Sequence, residues 1–267
     1  MAASSAMMRL SRRVPSVALR FAALRRPLCA STATTASAAT ASPPAQSIVA
    51  ELERMQSEKP AWQVALLRLG GVFSEEQWQA AAGSDMYVNI ANQSNVQHPL
   101  LVRDAHVPER YYTQLQMRGL HCWIAHVRLR QEPSETFKTM YREMMEKVWQ
   151  QAELDLTREF EMGYVQMAKH IKAAQFAWHG MCKSLDVALE ADLPREEMGK
   201  VLLRNVYVDE DGEPLVDENG EPTEDTVAGS LLLADYLLAQ RAHLLQLPAE
   251  DVLKGRLTWG ESPVPQG

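Results

Sequence analysis

Cys122 and His126 lie four residues apart, and His179 and Cys182 three apart. On helices these spacings put the members of each pair on one face, and two such pairs brought together would form a tetrahedral Cys2His2 set suited to zinc. The competing reading is structural, because both cysteines fall on or beside apolar stripes where a free thiol packs as a small hydrophobe. Covalent chemistry finds less support: the sequence has no GxSxG, no glycine-rich phosphate loop, no HExxH and no carboxylate pair spaced for acid and base roles. The acidic run from Asp209 to Asp225, nine acids without a base, does not fit a calcium-binding EF-hand either. Such a loop needs an acid first and a glutamate twelfth, whereas setting Gly212 sixth puts Tyr207 first, and setting Gly220 sixth puts Leu215 first and Thr226 twelfth. The residues point away from an enzyme and toward a protein that binds another molecule, with no cofactor.

The elements that would position these side chains are helices. Leu115, Gly119, Cys122, His126 and Leu129 recur at steps of four and three, and Met117, Leu120, Ile124 and Val127 form a second stripe bordered by Trp123. The predicted helix, from Pro108 as its first residue to Arg130, is therefore apolar over a wide arc and packs on two sides. Burying Leu120, Trp123, Ile124 and Val127 contributes roughly 1.5–3 kcal/mol each. Its remaining face carries Arg118, His121 and Arg128, which become candidates for partner contact. After Pro133 another helix repeats Phe137, Tyr141, Met144 and Val148. The series Phe160, Tyr164, Met167, Ile171, Ala174, Trp178, Met181 and Leu185 then keeps a heptad step, with Gly163 as a break near its start. Lys169, Lys172, His179 and Lys183 gather on the opposite side. A solvated face and a cationic strip for docking at a ribosome or an anionic membrane surface both fit them.

Further helices are predicted over 47–59, over 74–82 with Ser74 as cap, over 194–204, over 226–247 and from Pro248 to near Gly255. A weaker helical signal covers 85–93, the stretch 92–108 reads mostly as loop, and the last residues read as an extended tail. Asp211-Gly212 and Asn219-Gly220, beside "VYV" and "PLV", predict a small acidic β-hairpin over 209–225. The expected fold is thus all-α, a single irregular helical bundle with a hairpin insertion. Its expected divisions are a targeting segment and linker over 1–46, a helical extension over 47–84, the main domain over 85–259 and a tail over 260–267.

Arg9, Arg12, Arg13, Arg20, Arg25 and Arg26 precede the first acid, Glu51, as in a mitochondrial or plastid transit peptide. Removing these six lowers 27 basic residues to 21 against 34 acidic ones, a net charge near −13 that repels bulk nucleic acid. No run of eighteen or more apolar residues occurs, so the expected mature protein is soluble or peripheral to a membrane. Cys29, Cys122 and Cys182 make no disulfide framework, which suits a reducing matrix.

"MYVNIANQ", "VPERYYTQLQMRGLHCWIAHVRLR", "LDLTREFEMGYVQMAKHIKAA" and "LLRN", in that order, resemble the ubiquinol–cytochrome-c chaperone family, the large subunit of a complex III assembly factor. The likeness runs over 85–205 and 234–259. Leu120-His121 with Arg128-Leu129 is its most distinctive part. The sequence departs at Ser94, Asn95 and Val96, where an Ala-Arg pair followed by Pro is expected, and at Leu203, which stands where the motif around Arg204 has Trp. The resemblance implies an all-helical, non-catalytic protein on the matrix side of mitochondria, peripheral to the inner membrane. It further implies that the protein binds newly made cytochrome b with a small partner subunit, near the exit region of the organelle ribosome. Arg118, His121, Arg128, Lys169, Lys172, Lys183 and Arg204 are the candidate contact residues. A structural subunit of a mitochondrial ribosome or respiratory complex, and a Cys/His metal protein, remain the alternatives.

Overall fold

The computed structural model describes residues 47–209 and 212–262, and the expected targeting segment and linker over 1–46 and the end of the tail lie outside them. Nine α-helices occur among the described residues: α1 (Ile48–Glu58), α2 (Ala61–Leu69), α3 (Glu75–Asp104), α4 (Tyr111–Leu129), α5 (Ser134–Arg158), α6 (Tyr164–Leu189), α7 (Pro194–Asn205), α8 (Glu224–Leu245) and α9 (Ala249–Leu253). The fold is all-α, as the periodicity requires.

α4 is the central element, packed by α3, α5, α6 and α8. Leu120, Trp123 and Ile124 are completely buried, and Val127 is half-buried against the same core. α3 and α5 cross closely enough that a Cβ at Gly83 would meet the Met140 carbonyl oxygen at 2.5 Å, so only glycine fits there. α7 and α8 close the other side, with α7 also against α6. α1 is fastened by one carboxylate: Asp85 on α3 accepts from Ser47 Oγ (2.7 Å) and from the backbone N–H groups of Ile48 (2.8 Å) and Val49 (2.9 Å). A negative charge at a helix N-terminus satisfies otherwise orphaned donors and suits the helix dipole.

Three expectations are corrected. The stretch 92–108 is helical up to Asp104, with Pro99 inside the helix; it shows no apolar period because its inward face is polar, with Ser94, Gln97 and His98 buried beside Ile90 and Leu101. Pro108 is not the first residue of α4. The linker turns at His106 (φ 51°) and at Glu109, where Arg110 N–H reaches the Pro108 carbonyl (3.0 Å); Arg110 itself is extended, its guanidinium donates to the Val208 carbonyl (3.0 Å), and the helix starts at Tyr111.

The third correction concerns the acidic hairpin, since no strand pair forms among the described residues of 209–225. Both Gly turns exist, with Gly212 and Gly220 each at φ 81°. Each turn closes on itself, through Asp209 N–H to Glu213 O (2.8 Å) and Asp217 N–H to Glu221 O (2.8 Å), leaving a single bridge between Val208 and Pro214. The flanking segments have different environments. Val206, Tyr207 and Val208 are buried, with Tyr207 donating to Ala105 O at 2.6 Å, whereas Val216 is exposed and Pro214 has no N–H to give a ladder.

Candidate functional site

The residues singled out on α4 prove to be interior. His121 is fully buried, its Nδ1 2.7 Å from the Met117 carbonyl oxygen and its Nε2 2.7 Å from the Tyr236 hydroxyl on α8. A carbonyl can only accept, so Nδ1 carries the proton and Nε2 accepts from Tyr236, whose oxygen in turn accepts from Gln93 on α3 (3.2 Å). The chain of donors joins three helices and is satisfied with a neutral imidazole. Burial accordingly holds the His121 pKa down at about 4, against the opposing hydrogen bond to Met117.

Arg128 is also buried. It pairs with Glu132 at 2.6 Å and donates to the Leu247 carbonyl at 3.0 Å, tying the last turn of α4 to the chain just past α8. Arg118 is partly covered and stands beside the Tyr87 hydroxyl. The expectation that Arg118, His121 and Arg128 form a free face is therefore corrected: α4 has neighbours on every side, and two of the three are shut in.

The Cys and His pairs do not come together as a set. Cys122 is wholly buried and His179 is exposed on the far side of α6, while His126 stacks on Tyr141 with centroids 4.2 Å apart. Burial pushes the Cys122 thiol up to about 12 and raises that of Cys182 as well, which makes both poor nucleophiles. Among the described residues no group of three or more His, Cys, Asp or Glu is placed to hold a metal ion.

α6 is different because it packs on one side only. Met167, Ile171, Ala174, Trp178, Met181 and Leu185 face the core, whereas Tyr164, expected on that stripe, is exposed at the helix start. The opposite side carries Lys169, Lys172 and Lys183, all exposed, and none forms an ion pair among the described residues. The single acid between Tyr164 and Leu189 is Asp186, and it is engaged by Arg130 (2.8 Å) and the Trp123 indole N–H (3.0 Å). Among the lysines stand three apolar side chains that the sequence reading missed: Val165, Phe176 and Val187, exposed at 68%, 68% and 64%. They recur every eleven residues, as Lys172 and Lys183 do, and eleven residues is close to three helical turns, so the rows run side by side. That period was available in the sequence. Arg204, at the end of α7, is exposed as well.

The solvent side of α6 is thus a long cationic and apolar strip on an acidic protein. A family model described as "Ubiquinol-cytochrome C chaperone" matches residues 103–259, from the end of α3 to the segment after α9. Among solved structures, the chain is similar to the Cbp3 homolog from Brucella abortus, at 19% identity and a TM-score of 0.57, covering 75% of this chain and 99% of that one. That likeness is one of fold. No curated protein matches the chain.

Proposed function

Because the chain belongs to the ubiquinol-cytochrome C chaperone family, we propose that it is a non-enzymatic assembly factor of respiratory complex III that holds newly made cytochrome b until the complex takes it up. The observation that carries the reading is the exposed strip of α6. Val165, Phe176 and Val187 offer an apolar client three separated exposed footholds, each contributing at most about 1.5–3 kcal/mol on burial, which suits reversible holding. Lys169, Lys172 and Lys183 supply attraction for acidic groups on the client or on a small partner subunit, while the acidic remainder of the protein suppresses contact with nucleic acid. The proposed place of work is the matrix side of the mitochondrial inner membrane, peripheral to it and near the ribosome exit. No helix among the described residues is long and apolar enough to cross a membrane.

The test is a pulse-label of mitochondrial translation in cells carrying Lys169→Glu with Lys172→Glu. Newly made cytochrome b should be lost and complex III should fail to accumulate, while the other respiratory complexes are made normally at first. If deleting the whole protein leaves cytochrome b untouched and the protein instead co-migrates with a mature ribosome or respiratory complex, it is a structural subunit and the chaperone reading fails.

A further inference from the structure

Among the described residues α2 is the only helix none of whose residues is buried. Nine residues are too few to hold a helix in water without tertiary packing. Yet α2 is rich in large apolar side chains: Trp62, Leu66 and Leu69, spaced four and three, are exposed at 64%, 59% and 87% and form one stripe. An apolar stripe held out from the body marks a contact surface.

The surrounding charge says what kind of contact. From Lys59 through Ser74 there is no acid, in a chain with 34 acids against 27 bases. The two cations of this stretch, Lys59 and Arg68, both line one open groove beside the stripe, whose other walls include Ala61, Val64 and Leu69. Neither forms an ion pair among the described residues. A short apolar stripe with a tryptophan and with cations on its flank is the distribution of a helix lying in a lipid interface, where the apolar face dips to the boundary of headgroups and acyl chains and Arg and Lys reach back to phosphate. A protein groove closing over Trp62, Leu66 and Leu69 would have to carry acids placed opposite Lys59 and Arg68, whereas a bilayer supplies phosphates and acyl chains in that order at any point of its surface.

We propose that α2 is the element by which this protein rests on an anionic phospholipid bilayer, with Trp62, Leu66 and Leu69 among the upper acyl chains and Lys59 and Arg68 at the phosphates. The proposal rests on the placement of the chain at a membrane given above and names the surface that makes the contact. Three apolar side chains and two cations give reversible attachment, far short of the insertion of a spanning helix. Gln63, Val64 and Leu67 are the partly covered residues of α2, and Trp62, Leu66 and Leu69 point away from them into solvent, so changing the stripe leaves the fold intact.

The experiment is flotation of the full-length chain with vesicles of phosphatidylcholine alone and of about three parts phosphatidylcholine to one part phosphatidylglycerol. The chain is expected to float with the anionic vesicles only, and Trp62→Ser with Leu66→Ser to weaken binding about tenfold or more at an unchanged melting temperature. Lys59→Glu with Arg68→Glu should remove the salt-sensitive part of the binding. Because the arginines before residue 47 can also attract anionic lipid, Trp62 itself is followed: brominated acyl chains should quench the part of the emission that Trp62→Phe abolishes. The inference is overturned if the wild type does not float, if Trp62→Ser with Leu66→Ser floats undiminished and the Trp62 emission is not quenched, or if α2 proves to be covered by a second copy or by another protein. Cells that lose membrane association with this double variant but still retain newly made cytochrome b leave the chaperone reading standing. Vesicle binding through α2 without any effect of the protein on cytochrome b leaves α2 standing and removes that reading.

Discussion

α4 and α6 both carry basic residues opposite an apolar stripe, and the protein uses them in opposite ways. α4 has helices on every side, so His121 and Arg128 are consumed by the interior, one as a neutral hydrogen-bonding joint to Tyr236 and the other as a tie to Glu132 and Leu247. α6 has an uncovered side, and Lys169, Lys172 and Lys183 remain in solvent with Val165, Phe176 and Val187 among them. The charge of a side chain does not decide between these fates. What decides is how many neighbours the helix has, because a basic residue can serve a partner only where no other helix already claims it.

The largest effect that this contrast implies is at Arg128. Arg128→Ala leaves Glu132 buried without its cation, and breaking such a pair costs about 3–5 kcal/mol. Urea unfolding at neutral pH measures it, and a loss like that of an ordinary surface substitution would mean that α4 is less enclosed than described. Tyr236→Phe comes next. It takes the donor from His121 Nε2 and the acceptor from Gln93 at once, for a loss of about 1–3 kcal/mol in the same assay.

The histidines of α4 should also be visible in the pH dependence. His121 and His126 have folded pKa values held down at about 4, both chiefly by burial, below the ordinary 6.5. Between these values the unfolded chain binds protons that the folded chain refuses, so their contribution is constant above pH 6.5 and stability falls as the pH drops toward 4. A series of melting curves checks the sign, and His121→Gln should make the slope shallower. The smallest effect on stability belongs to α6: Phe176→Ser and Lys172→Glu should each change it by no more than about 0.5 kcal/mol, because neither side chain holds the fold. A substantial loss in either would show that the strip is packed.

Much of this contrast was legible in the sequence, and what was not has physical causes. The apolar stripes of α4 and α6 announced both helices, and Ser74 was a readable cap, its hydroxyl accepting from Gln77 N–H at 3.3 Å. The second half of α3 was hidden because hydrophobic periodicity cannot register a buried face made of Ser94, Gln97 and His98. α2 was missed because it is short and apolar most of the way round, although Pro60 and Gly70 bracket it. The turns at Gly212 and Gly220 were readable from their dipeptides, but whether two flanking segments pair depends on where each is anchored, and Tyr207 is anchored in the core. The basic residues of α4 read as a solvent face for a similar reason, since a sequence gives the angle of a side chain around its helix and not what stands opposite. On α6 the lysines were found, and the apolar rows between them needed a period of eleven where a period of seven had been read.

The most direct test of the central claim replaces Phe176 by a photo-crosslinking residue and, in a parallel variant, places the same probe at Leu154, an exposed apolar position on α5. Illumination during mitochondrial translation should join labelled, newly made cytochrome b to position 176 and leave position 154 bare. Adducts of equal yield at both positions, or cytochrome b adducts at neither while complex III assembles normally, would contradict the assignment of the α6 strip as the client-holding surface.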